Sequence, residues 1–266
     1  PMVSELPWDP ETGTLKREFA EGMMNPACRH ALEAALQLKA LHGGVVTAVS
    51  MGPPMAEEVL RQAIALGADR GLLLSDPLMA GADTYATSYT LARAIATFCP
   101  GFDLILCGCQ TSDSETAQVG PQLAEELHLP AAAFVEEMEW KKGCLMVRRV
   151  SDGFLETLEM DLPGLVTVST HHFTPRYLSL SGIEDAFPAA VDIRTVTARD
   201  LDLPGESIGA AASPTKIVNV YTPRTGKKNV VLRGAPKGIV EELLERYGDR
   251  LSGAMGKDIQ KSEKGK

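Results

Sequence analysis

Three times between residues 45 and 128 an apolar run of strand length is followed by a segment with helical spacing, and that rhythm leaves few folds open. Val45–Met51, Gly71–Asp76 and Phe102–Cys107 are near-continuous apolar runs, the pattern of strands buried on both faces. Between them Met55–Leu66 puts Val59, Leu60, Ala63 and Ile64 on one helical face before Gly67, and Thr84–Phe98 is a second helix. A helix over Glu115–His128 is closed by Pro130, and an earlier one through Ala31–Lys39 stops at His42-Gly43-Gly44. Such alternation predicts an α/β fold with a parallel sheet and helices on both faces. After Pro130 the rhythm changes. Ala131–Trp140, Cys144–Val150, Phe154–Met160 and Leu165–Ser169 are strand-like and separated by Lys-Lys-Gly and Ser-Asp-Gly turns, predicting an antiparallel meander that extends the sheet. From Thr174 the chain is Pro- and Ser-rich, so residues 174–237 are expected as loops and an extended arm.

Charge and cysteine usage exclude several roles. A net charge of −9 and 5% aromatic residues fit neither a phosphate-backbone partner nor a base-stacking platform, so no nucleic-acid partner is expected. The five cysteines are odd in number and lie mostly in apolar runs, as free thiols in a reducing cytoplasm do. No apolar run reaches the roughly 18–20 residues needed to span a bilayer, and Pro1–Trp8 has no basic or apolar leader pattern, so neither export nor membrane insertion is expected. Residues 1–213 hold 14 basic and 29 acidic side chains against 12 and 6 in residues 214–266, a basic tail on an acidic body.

In a doubly wound sheet the ligand sits beyond the carboxyl ends of the strands. Three loops there carry unusual residues: Ser50-Met51-Gly-Pro-Pro54, Gly81-Ala-Asp83-Thr84-Tyr-Ala-Thr87-Ser88, and Cys109-Gln110-Thr-Ser-Asp113 through Thr116, Gln118, Val119 and Gly120. Hydroxyls and amides at helix starts suit a phosphate, so a nucleotide site is the natural expectation, although a plain N-cap also explains Asp83-Thr84. GxGxxG and Walker patterns are absent. Cys107-Gly-Cys109 and His171-His172 lack the companions that a metal site requires, so no metal is expected, and nothing points to hydrolase chemistry.

Asp9-Pro-Glu-Thr-Gly-Thr-Leu15, Asn25-Pro26, Ala48–Pro54, Gly67-Ala-Asp69, Asp83–Ser88, Asp113–Pro121 and Pro175-Arg-Tyr177 stand in this order along the chain. Together they resemble the β subunit of electron transfer flavoproteins over nearly the whole length. The resemblance implies an adenine-nucleotide-binding, Rossmann-like α/β domain over residues 1–173. Residues 174–266 would be a recognition loop and C-terminal arm contacting the partner subunit. It implies an electron carrier paired with a flavin-bearing α subunit, with FAD or AMP in the β subunit itself.

By that resemblance Asn25, Met51, Asp113, Thr116, Gln118, Val119, Gly120, Pro121 and Gln122 fall where the family binds its nucleotide, and Gln110, at the start of the same polar loop, is a candidate beside them. Asp83, Thr84, Thr87 and Ser88 look like the segment of the branch that holds a second FAD and bifurcates electrons, NADH being a candidate donor. This favours FAD, with AMP the alternative. Leu180 falls where the family presents a leucine to acyl-CoA dehydrogenases. Cys109 stands where Lys is common and Ser114 where Gly is common, and Pro1 lies past the family's usual opening strand.

Overall fold

The computed structural model describes residues 22–187, 191–218 and 230–263, together with the short strands β1 (Trp8–Asp9) and β2 (Thr14–Leu15). For β1, β2 and residues 254–263 it describes the backbone. One compact unit runs to Asn219 and a second spans Val220–Lys266.

In the first unit β1 and β2 are followed by α1 (Pro26–His42), which starts with Pro at its first turn and ends where Gly43 takes φ 76°. The expected alternation is present as β3 (Thr47–Met51), α2 (Glu57–Leu66), β4 (Arg70–Leu74), α3 (Thr84–Phe98) and β5 (Leu104–Gly108). Next comes α4 (Val119–Glu126), four residues later than the sequence suggested, because Glu115 (φ 50°) and Ala117 (φ 56°) are left-handed and cannot continue a helix. The strands after it are β6 (Ala131–Lys141), β7 (Cys144–Ser151), β8 (Phe154–Asp161) and β9 (Gly164–Val168).

These strands build two larger sheets where one was expected. β3 and β4 run parallel, while β5 belongs to a mixed sheet of order β5-β9-β6-β7-β8. Only β6, β7 and β8 form the antiparallel meander. β9 instead crosses back to lie parallel between β5 and β6, pairing Leu165 with both Ile105 and Ala131. The reason lies in its composition: every residue from Gly164 to Val168 is buried, and such a run has no place at a sheet edge. Ala31 and Ala34 of α1 join the cluster on Val135, Val166 and Val168, while Ala92 and Ile95 of α3 with Leu123 and Ala124 of α4 join the cluster on Leu165.

Residues 174–237 hold more order than loops. They contain α5 (Leu180–Ala186), β10 (Ile193–Val196) and α6 (Gly209–Ala212), while 188–190 and 219–229 lie outside the described residues. β10 adds to β4 in parallel with Ile193 opposite Gly71. A Cβ on Gly71 would stand 2.8 Å from Ile193 Cγ1, so the glycine is what lets this strand in. Val196, Leu201, Leu203 and Ile208 are buried behind it with Leu72 and Leu74. The second unit holds α7 (Pro236–Glu263), whose Val240, Leu243, Leu244 and Leu251 recur at helical spacing and are exposed. Among the described residues no helix is long and apolar enough to cross a membrane.

Candidate functional site

The site is built where α1, α3 and α4 begin. Asn25 precedes α1, and its side chain does not cap that helix. Its Nδ2 donates instead to Gln110 O (2.8 Å), and its Oδ1 accepts from the Ser112 N–H (3.1 Å). One amide thus clamps the loop leaving β5. Close approach makes this clamp reachable: a Cβ on Gly108, the last residue of β5, would lie 2.6 Å from both Ala27 C and Cys28 N. Thr84, at the first turn of α3, donates through Oγ1 to Gln118 Oε1 (3.0 Å), which joins the start of α3 to the far end of the β5–α4 loop. Asn25 thus holds the start of the β5–α4 loop and Thr84 holds its end.

Helix ends set the electrostatics. α3 is capped, because Asp83 Oδ1 accepts from the Ala86 N–H (3.0 Å), so the plain cap that Asp83-Thr84 allowed is present. The same carboxylate accepts from the Thr215 N–H through Oδ2 (2.9 Å), and the Asp83 N–H donates to Ser213 Oγ (2.8 Å). Burial pushes the Asp83 carboxyl up, but the N–H groups of Ala86 and Thr215 hold it below its ordinary value. Ser213 and Thr215 were not foreseen, since no local pattern ties them to a residue about 130 positions earlier. The side chains of Asn25 and Gln118 make no cap to α1 and α4, so the positive ends of these two helices are not satisfied by their own N-cap side chains. Between them the β5–α4 loop holds two non-glycine residues, Glu115 and Ala117, in left-handed backbone, a strain of about 1–3 kcal/mol each that recurs at ligand-binding segments.

The remaining residues vary in access. Asp113, Thr116 and Pro121 are exposed, and Val119 is half-buried. Gly120 is buried, and a Cβ there would come within 2.5 Å of Thr167 Cγ2, so its role is to let α4 close on β9. Gln122 Oε1 is a buried acceptor without a hydrogen-bond partner among the described residues. Thr87 is half-buried, whereas Ser88 is fully buried and its hydroxyl donates to Tyr85 O (2.9 Å). Met51 ends β3 and packs against the cluster of Leu74 and Met79. Leu180 lies elsewhere, as the first residue of α5 and 82% exposed.

Two other features stay apart from this constellation. Burial raises the Cys107 thiol to about 12 and also raises Cys109, so neither is poised as a thiolate, and no group of three metal-binding side chains occurs among the described residues. A groove of about 830 Å³ lies at the opposite, amino ends of β3, β4 and β5, lined by Val45, Thr47, Arg70 and Leu104 together with Trp140 of β6, and gathers none of the nucleotide-site residues.

Comparison with known proteins gives this geometry a context. Residues 12–200 match the electron transfer flavoprotein domain. The chain is 40% identical over 250 residues to "Electron transfer flavoprotein subunit beta" of Thermoanaerobacterium thermosaccharolyticum, covering 94% of this chain and 95% of that protein. It is 41% identical over 225 residues to "Caffeyl-CoA reductase-Etf complex subunit CarD" of Acetobacterium woodii, covering 84% of each. It is also 37% identical over 240 residues to "Acryloyl-CoA reductase electron transfer subunit gamma" of Anaerotignum propionicum, covering 88% and 89%. The chain belongs to the electron transfer flavoprotein family and is of its β-subunit type.

Proposed function

We propose that this chain is the β subunit of a heterodimeric cytoplasmic electron carrier and that it holds FAD where α1, α3 and α4 begin, on a Rossmann-like domain. The observation that carries the reading is the pair of uncapped helix starts of α1 and α4 on either side of the strained β5–α4 loop, an environment suited to a pyrophosphate. The orphaned Gln122 Oε1 fits the same ligand, because adenine and ribose offer hydrogen-bond donors. Asn25 and Gln110 would fix the loop, Thr84 and Gln118 would join its two sides, and Asp113, Thr116, Val119, Gly120 and Pro121 would line it, with Met51, Asp83 and Thr87 along the other wall and the buried Ser88 behind it. Bound there, a flavin supplies electron transfer in single or paired steps, and the protein supplies binding, orientation and electrostatics.

The electrons would pass between an acyl-CoA dehydrogenase-type flavoprotein and further carriers, with bifurcation from NADH as the elaborated form. One relative named as a subunit of a caffeyl-CoA reductase-Etf complex and another named as an acryloyl-CoA reductase electron transfer subunit support that partner class. The exposed apolar stripe of α7, on the basic tail, supports an α subunit as the partner for residues beyond Asn219. AMP is the second reading, and Ser88 favours it, since a fully buried hydroxyl already donating to Tyr85 offers the larger ligand little.

The test is reduction of the reconstituted heterodimer by an acyl-CoA dehydrogenase and its acyl-CoA. Bleaching of the oxidised flavin band is expected, and an unchanged spectrum would contradict the carrier role. Leu180→Ala in the same assay should slow the reduction by truncating an exposed apolar anchor. Its melting temperature should stay close to wild type, since exposed substitutions move stability by only about 0.5 kcal/mol.

A further inference from the structure

Glu33 is a carboxylate set among apolar residues on α1, only 6% exposed and close in sequence to the buried Ala31, Ala34 and Leu36. Its Oε2 accepts from the Arg176 Nε (2.8 Å) and from the Arg176 backbone N–H (3.2 Å). Its Oε1 accepts from Arg176 Nη2 (3.1 Å) and Gln37 Nε2 (3.0 Å). Burial pushes the Glu33 carboxyl up, but these bonds and the guanidinium charge hold it below its ordinary value. A pair desolvated on one side is a poor source of net stability, because the cost of burying the carboxylate offsets much of the attraction. What three bonds to one residue do supply is geometry. They fix both the side chain and the backbone of Arg176, and so the direction in which the chain leaves it.

The segment that leaves Arg176 is apolar and open to solvent. Tyr177 is 95% exposed and Leu178 and Leu180 are exposed as well, a run without a covering element among the described residues. The far end of the run is anchored on a different helix. Gly182 sits so close to Ala65 of α2 that a Cβ would lie 2.2 Å from its carbonyl oxygen, and Arg61 Nη1 donates to Ala186 O (3.0 Å). Residues 177–181 are thus a short span held on α1 at one end and on α2 at the other, with its apolar side chains turned outward.

We propose that the Glu33–Arg176 pair is a positioning device for this span: it sets how Tyr177, Leu178 and Leu180 are presented to the redox partner while touching neither partner nor nucleotide. The proposal rests on the docking role proposed for Leu180. It predicts that the pair affects recognition of the partner and not the subsequent electron transfer.

The experiment uses the flavin-loaded heterodimer and the double variant Glu33→Leu with Arg176→Met, which removes both charges together so that no buried charge is left unpaired. Three quantities are read: melting temperature, hydrogen exchange of the 177–181 amides, and KM and kcat with the acyl-CoA dehydrogenase as varied substrate. Exchange at 177–181 should quicken, KM should rise roughly tenfold, and kcat should stay within about twofold. Should the double variant fold poorly, Arg176→Lys keeps the charge but loses the fork, and should raise KM by a smaller factor in the same direction. Wild-type exchange with wild-type KM overturns the proposal, because the pair would then be structural only. Faster exchange with unchanged KM, while Leu180→Ala raises KM, overturns it as well, since the presentation of the span would not matter. If Leu180→Ala itself leaves KM unchanged, the docking role fails and the proposal falls with it.

Discussion

Replacing Gly108 by alanine is expected to strip much of the nucleotide from the purified heterodimer while lowering stability by about 1–3 kcal/mol. The added Cβ would stand 2.6 Å from Ala27 C and Cys28 N, and both are backbone atoms of the first turn of α1. Backbone there cannot swing aside as a side-chain tip can, so the start of α1 must lift from the end of β5. Asn25 is three residues before Cys28 and rides on that turn, and its bonds to Gln110 O and the Ser112 N–H would stretch with it. Loss of even one such bond, about 0.5–1.5 kcal/mol, weakens the loop that closes on the ligand. Bound nucleotide counted after gel filtration, alongside the melting temperature, checks this. Full nucleotide content at wild-type stability would show that α1 and β5 have slack at this contact.

Leu165→Ala should cost more of the fold, about 2–5 kcal/mol, without a direct effect on the ligand. Leu165 is fully buried on β9, between β5 and β6, and packs with Ile95 and Leu123. A cavity at that point is bounded by two hydrogen-bonded strands and two helices, so the surroundings have little freedom to collapse into it. Denaturant unfolding should show a lower midpoint with an unchanged slope. A midpoint within error of wild type would mean that β9 does not hold the centre of the sheet.

The run containing Leu165 also shows how far the sequence could be followed. As a strand it was legible, because Leu165, Val166, Thr167 and Val168 put apolar and β-branched residues in succession. Its neighbours were not. Its place directly after three strand-like segments suggested one more antiparallel step, whereas the choice to return between β5 and β6 depends on non-local pairing that leaves no local mark. α3 was legible to its bounds, since Asp83 caps it and apolar residues recur at helical spacing as far as Phe98. β10 was hidden because Asp192, Arg194 and Thr195 break its apolar pattern and its entry depends on the missing side chain of Gly71, a contact visible only in three dimensions.

For the site, residue types at the helix starts pointed to an anion, and the contacts of Asn25 and Thr84 bring those loops together. The second role of the Asp83 carboxylate, holding Thr215, could not be read, because its partner is a backbone N–H that any residue could supply. Glu33 did leave a trace: a carboxylate inside the otherwise apolar stretch Ala31–Leu36 needs a partner once that turn of α1 is buried.

Flavin counted per αβ pair, with the released nucleotides identified after denaturation, tests the proposed FAD site most directly. Two FAD per heterodimer are expected, one held by each subunit, and Asn25→Ala should lower the second while sparing the first. One FAD together with one AMP would contradict an FAD-holding β subunit and would assign the loops around Asn25, Thr84 and Gln118 to a nucleotide that never changes redox state.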